Sequence, residues 1–104
     1  MGILLLQKNR FTDEALARLG GKDTLKELHL GLGYGRITDA GLSHLRDFKG
    51  LELLDVQHTQ VTARGLEPLI KELPRLKQLY VSTPHVSQAE KMALRTARPG
   101  LWMP

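Results

Sequence analysis

The sequence predicts an α/β fold built by repetition: about four strand–turn–helix units in a row, with a parallel sheet on one side and helices on the other. Three observations predict it. A frame of leucine, two variable residues, leucine, one variable residue and an aliphatic residue opens at Leu25, Leu51 and Leu76, and Met1, Leu4 and Leu6 fit it too. The openings are 24, 26 and 25 residues apart, a period typical of stacked repeat architectures. Each frame is followed by a near-copied phrase that carries a hydroxyl residue at its second position and continues with apolar residues at helical spacing.

The frame is the strand half of each unit. Its copies read Leu25-Lys-Glu-Leu28-His-Leu30, Leu51-Glu-Leu-Leu54-Asp-Val56 and Leu76-Lys-Gln-Leu79-Tyr-Val81. Alternation of this kind suits a short strand with one face buried. Parallel strands are predicted near residues 3–6, 27–30, 53–56 and 78–81. Leu28, Leu54 and Leu79 hold the same frame position and are expected to be buried and stacked.

The phrase is a helix start. Its copies begin Phe11-Thr12-Asp13-Glu14, Ile37-Thr38-Asp39-Ala40, Val61-Thr62-Ala63-Arg64 and Val86-Ser87-Gln88-Ala89. Thr12, Thr38, Thr62 and Ser87 are placed to cap orphan backbone N–H groups. Asp13 and Asp39 fall in the first turn, where negative charge suits the helix dipole. Ser87 and Glu90 have the spacing of a capping box. Leu16 and Leu19, Leu42 and Leu45, Leu66, Leu69, Ile70 and Leu73, and Met92 and Leu94 then recur at helical spacing. Gly20-Gly21, Gly50, Pro74 and Pro99-Gly100 mark the stops.

Two departures from regularity carry expectations. Gly31-Leu-Gly-Tyr-Gly35 inserts a glycine-rich bulge between strand and helix, with Tyr34 as a candidate contact. It lacks the residue order of a phosphate-binding glycine loop. Pro68 lies six residues after Thr62, where it predicts a kink or a fresh helix start.

With Ile37-Thr-Asp-Ala-Gly-Leu42 following a Leu-x-x-Leu-x-Leu frame, the chain resembles leucine-rich repeats of the cysteine-containing and bacterial TDAGL type, in the ribonuclease-inhibitor-like group. The resemblance covers nearly the whole chain and is most specific over Leu25–Leu45 and Leu51–Leu69. Asn9 and Thr59 match the family's asparagine-or-cysteine position, and Pro84 departs from it. The resemblance implies a right-handed solenoid with its sheet on the concave side. It also implies a recognition scaffold, usually for protein partners, without catalysis. The chain then reads as one domain, with repeats at about 1–24, 25–50, 51–75 and 76–98 and a C-terminal cap at 99–104, where Pro99, Leu101 and Trp102 fold back over the core.

Composition narrows the function classes. The 104 residues suit one domain, and five aromatics leave the core to aliphatic side chains. The net charge of +4 raises nucleic acid as a partner. Its excess lies in the last unit, in Lys77, Lys91, Arg95 and Arg98, and acids interleave with bases elsewhere. A nucleic-acid module would show a denser basic stripe with stacking aromatics. The absence of cysteine removes disulfides, thiol nucleophiles and cysteine-based zinc sites. The run Ile3–Leu6 is too short for a signal h-region or a membrane span. A cytoplasmic protein without cofactor is the expectation.

The candidate site is the outward face of the sheet. Frame positions three, five, seven and eight should point away from the helices. They supply Gln7, Lys8, Glu27, His29, Asp55, Gln57, His58, Gln78 and Tyr80 as candidate partner-binding residues. Leu5, His29, Asp55 and Tyr80 should form one row across the strands. A His-Asp-Tyr row suggests catalysis, but no activated nucleophile accompanies it, and polar cross-strand pairs are ordinary on an exposed sheet. His29, His44, His58 and His85 lack metal-ligand spacing. The expected function is a non-catalytic protein–protein interaction module. The alternative is a C-terminal structural fragment of a longer leucine-rich repeat protein with no independent activity.

Overall fold

A computed structural model describes residues 3–5, 13, 16, 24–30, 37–57, 59–81 and 86–103, the first three by their backbone alone. Strands and helices alternate along the chain. β1 is Ile3–Leu5, β2 Glu27–His29, β3 Leu53–Asp55 and β4 Gln78–Tyr80. Helix α1 is Asp39–Leu42, which runs on into a 3-10 turn at Ser43–Leu45. Helix α2 is Ala63–Glu72 and α3 is Gln88–Ala97. Asp13 and Leu16 are also helical.

The strands form one parallel sheet in chain order. Its register follows the leucine frame without a slip. Leu4, Leu28, Leu54 and Leu79 are successive partners, as are Leu5, His29, Asp55 and Tyr80. Backbone bonds extend the pairing at both ends of the strands, from Glu52 N–H to the Lys26 carbonyl (2.7 Å) and from Leu30 N–H to the Asp55 carbonyl (2.8 Å). Parallel neighbours need a long crossover, and here the helical segments provide it.

The sheet has one buried and one open face. In β2, β3 and β4 the central residue is buried and its neighbours are half-buried. Leu28, Leu54 and Leu79 have no solvent exposure. They join one core with Leu16, Leu42, Leu45, Leu66, Leu69, Ile70 and Leu94 from the helical side. Phe48, in the turn after the 3-10 segment, is the largest fully buried side chain, although it falls outside both the frame and the phrase.

The caps differ from expectation at one position. Thr38 accepts the Ala40 N–H at 3.3 Å, and Ser87 with Glu90 forms the capping box. Thr62 makes no cap bond to its own helix. Its hydroxyl instead donates to Asp39 of the preceding helix at 2.5 Å, and its N–H donates to the same carboxylate at 2.7 Å. Asp13 holds Thr38 in the same way, at 2.8 Å from the N–H and 2.5 Å from the hydroxyl. The first-turn aspartates therefore connect neighbouring strand–helix segments, beyond any effect on their own helix dipoles.

Pro68 does not interrupt α2, which continues from Ala63 to Glu72. Proline removes the bond to the carbonyl four residues back, here that of Arg64, and its ring crowds that oxygen. Both residues are exposed, so water can satisfy that oxygen.

The C-terminal tail also departs from expectation. Pro99 and Trp102 do not cover the core: Pro99 is exposed, and Trp102 is 52% exposed. Leu101 and Met103 do so instead. Trp102 bridges in parallel to Gln78, with its N–H on the Lys77 carbonyl (2.8 Å) and its carbonyl on the Leu79 N–H (2.9 Å). The tail thus runs alongside β4 and points Leu101 and Met103 inward. Gly100, at φ +92°, makes the turn into it, a conformation that a side chain would strain.

Thr59 is buried, and its hydroxyl donates to the Val56 carbonyl at 2.6 Å, closing the turn after β3. Asn9, Tyr34 and the glycine-rich bulge, Pro84 and His85 lie outside the described residues.

Candidate functional site

The open sheet face takes its geometry from strand alternation. A buried leucine at the fourth frame position forces the third and fifth side chains to the other side. Parallel register then sets equivalent positions of successive strands side by side. The third position contributes Glu27, Leu53 and Gln78, and the fifth His29, Asp55 and Tyr80. Of the expected site residues, Glu27, His29, Asp55, Gln57, Gln78 and Tyr80 are all half-buried on this side of the molecule. Gln7, Lys8 and His58 lie outside the described residues.

Two clusters occupy the face. The first is polar. His29 Nδ1 lies 3.5 Å from Asp55 Oδ2, and His29 Nε2 lies 3.3 Å from Glu27 Oε1. Asp55 Oδ1 accepts the Gln57 N–H at 3.0 Å, which fixes the carboxylate toward β2. A neutral imidazole has one N–H and can donate to only one of these carboxylates, whereas an imidazolium donates to both. The cluster carries two carboxylates against one imidazole and is anionic when His29 is neutral.

The second cluster is aromatic. Tyr80 and Trp102 meet edge to face, with ring centroids 5.4 Å apart and planes at 76°. The Tyr80 hydroxyl donates to Gln78 Oε1 at 3.1 Å. These side chains, with Lys77 and Gly100, line a shallow depression at the end of the sheet. Trp102 is absent from the expected site residues. Its signal is a 24-residue step from Gln78, the same period that separates the leucine frames.

Two of the four basic residues of the last unit, Arg95 and Arg98, are bonded to backbone. The Arg98 guanidinium donates to the carbonyls of Ile70 (2.5 Å), Leu73 (2.8 Å), Pro74 (2.8 Å) and Leu76 (3.2 Å). Arg95 donates to the Met103 carbonyl at 2.5 Å. Both cations are bonded to backbone around the C-terminal end of α2 and the tail, a common use of arginine near orphan helix carbonyls. On the helical side, Arg46 pairs with Glu72 through both carboxylate oxygens. That hydrogen bond raises the Arg46 pKa and lowers the Glu72 pKa.

Among the described residues, no three His, Cys, Asp or Glu side chains converge as a metal site would require, and no helix is long and apolar enough to cross a membrane. No protein-family model matches the chain, and no curated protein matches it.

Proposed function

We propose that the chain is a right-handed leucine-rich repeat solenoid of about four repeats that acts as a non-catalytic protein-interaction module. Its partner-binding surface is the concave, open face of the sheet. One observation carries this reading. The inward row of the sheet is uniform, Leu28, Leu54 and Leu79, whereas the outward row changes residue by residue, His29, Asp55 and Tyr80. Uniform leucines serve stacking. A varied row of polar and aromatic side chains on a rigid sheet serves recognition, where aromatic anchors commonly dominate the energy.

The parallel register, the leucine frame and the TDAGL-like phrase support the repeat assignment. The surface position of the His29–Asp55 pair, with no activated nucleophile beside it among the described residues, supports recognition over catalysis.

The test is affinity capture with the intact chain as bait, followed by titration of the purified partner against variants. Asp55→Lys and Tyr80→Ala should each weaken binding about tenfold or more, as central interface substitutions do. Lys71→Ala and Arg64→Ala, on the helical side, should leave binding unchanged. Binding lost through the helical variants and retained by the sheet variants would overturn the reading. Circular dichroism of each variant separates lost binding from lost fold.

A further inference from the structure

We infer that the open face recognises an arginine side chain of a partner protein, seated where Asp55 adjoins Tyr80. This deepens the proposed function and rests on it. Asp55 and Tyr80 are register partners on adjacent strands, so their backbones lie about 4.8 Å apart and their side chains leave the same face. His29 is the register partner of Asp55 on the other side, so the polar and aromatic clusters form one surface. The Tyr80 ring is held at two points, by its hydroxyl on Gln78 and by its contact with Trp102. Asp55 is held by the Gln57 N–H on Oδ1, which leaves Oδ2 with the imidazole at 3.5 Å. A fixed carboxylate beside a fixed ring is preformed, and its ordering cost is met before any ligand arrives.

Charge complementarity selects a cation. Glu27 and Asp55 flank one imidazole, and this anionic cluster repels an acidic side chain. The neighbouring ring selects arginine over lysine, because a guanidinium bonds a carboxylate and stacks on an aromatic face at once. Lys77 sets the position. It lines the depression beside Trp102, and its ammonium turns a second cation away from that end and toward Asp55. The depression is shallow and the sheet open, so the arginine belongs to a protein surface and not to a free amino acid, which needs an enclosing pocket. His29 competes with the ligand. Among the described residues, Glu27 on its own strand and Asp55 on β3 are the charged groups that face it, and its register partner on β1 is the uncharged Leu5. A neutral imidazole donates to one carboxylate and an imidazolium to both, so acid withdraws acceptors from the ligand.

The probe is a capped Gly-Arg-Gly peptide, titrated at low salt into the intact chain labelled for NMR. Controls are the same peptide with citrulline, which keeps the shape of arginine without its charge, with Lys and with Glu, and free arginine. The Arg peptide should shift the backbone amides of Asp55, Gln57 and Tyr80 saturably, and each control should bind at least about threefold more weakly. Asp55→Asn and Tyr80→Leu should each weaken the Arg peptide about three- to tenfold, and Glu27→Gln less, with circular dichroism unchanged. Glu67→Gln, the same loss of charge on the helical side, should not weaken it, and Lys77→Gln should bind at least as tightly as the parent. Affinity should fall from about pH 8 to about pH 5.5, and His29→Gln should remove that fall.

Equal affinity for the Arg and citrulline peptides, tighter binding of free arginine, binding that survives Asp55→Asn, or binding lost in Lys77→Gln would overturn the inference. If the Arg peptide fails to bind while a captured protein partner still depends on Asp55 and Tyr80, the inference fails and the proposed function stands. If the partner ignores Asp55 and Tyr80, the proposed function itself fails.

Discussion

Asp39 and Gly65 belong to neighbouring helices and fit each other as a pair. The Asp39 carboxylate holds both the N–H and the hydroxyl of Thr62, and it reaches them through the space that Gly65 leaves empty. A Cβ on Gly65 would fall within contact of Asp39 Oδ1 and lie 2.6 Å from its Cγ. Asp13 and Gly41 repeat the arrangement, with an added Cβ 3.0 Å from the Asp13 Cγ. Where the next phrase has Ala63 in place of the aspartate, the glycine position is taken by Glu90, which caps its own helix through Ser87.

Gly65→Ala should destabilise the fold by about 1–3 kcal/mol through overpacking, although alanine is the better helix former. Asp39→Ala should cost about 1–3 kcal/mol by leaving the Thr62 N–H without its acceptor. The double variant should lose less than the sum, since the Oδ1 and Cγ contacts disappear and only the Cβ contact at 2.8 Å remains. Urea unfolding of the four proteins measures the coupling, and strict additivity would refute the pairing.

Leu54→Ala should cost about 2–5 kcal/mol, because Leu54 is fully buried between Leu28 and Leu79 in register. Leu53→Ala, one residue away and half-buried on the open face, should cost much less. Thermal unfolding of the two variants checks the register, which a one-residue slip would invert.

Arg98→Ala should cost about 1–3 kcal/mol, since four carbonyls share its guanidinium and those of Ile70 and Leu73 lie in buried residues. Arg98→Lys should recover only part of this, because a single ammonium cannot span the fork of acceptors. A lysine variant as stable as the parent in denaturant unfolding would count against the carbonyl clamp.

Glu72 should titrate below the ordinary glutamate range, held there by the hydrogen bond from Arg46. A depressed carboxylate stabilises the fold above its unfolded pKa. That contribution is lost as pH falls through its lower, folded pKa. The pair is exposed, so salt should weaken the effect. NMR titration of the Glu72 carboxyl should show the midpoint rising in Arg46→Ala. An unchanged midpoint would show that the pair has no influence on the carboxylate.

Strand positions and register were legible from the sequence because the signal is periodic. Leucines at fixed steps leave one arrangement that buries them all, and Leu28, Leu54 and Leu79 follow it. Helix starts were legible for a similar reason, since hydroxyl residues before apolar periodicity relieve orphan N–H groups, as Thr38 and Ser87 do. The outward row His29, Asp55 and Tyr80 followed from alternation alone.

Tertiary structure decided what depends on approach across chain separations. Thr62 has the sequence of a cap, yet its hydroxyl makes no bond to its own helix and donates to Asp39, a charged acceptor 23 residues away. Arg95 and Arg98 count as surface charge in a composition, yet both are bonded to backbone carbonyls. Trp102 resembles a cap residue, yet parallel pairing with Gln78 turns its ring toward Tyr80 on the open face and leaves Leu101 and Met103 to close the core. The leucine period follows from the residue order alone, and with it which residues face inward. Only packing decided which polar groups meet, because hydrogen-bond partners are chosen by distance in space, which periodicity does not encode.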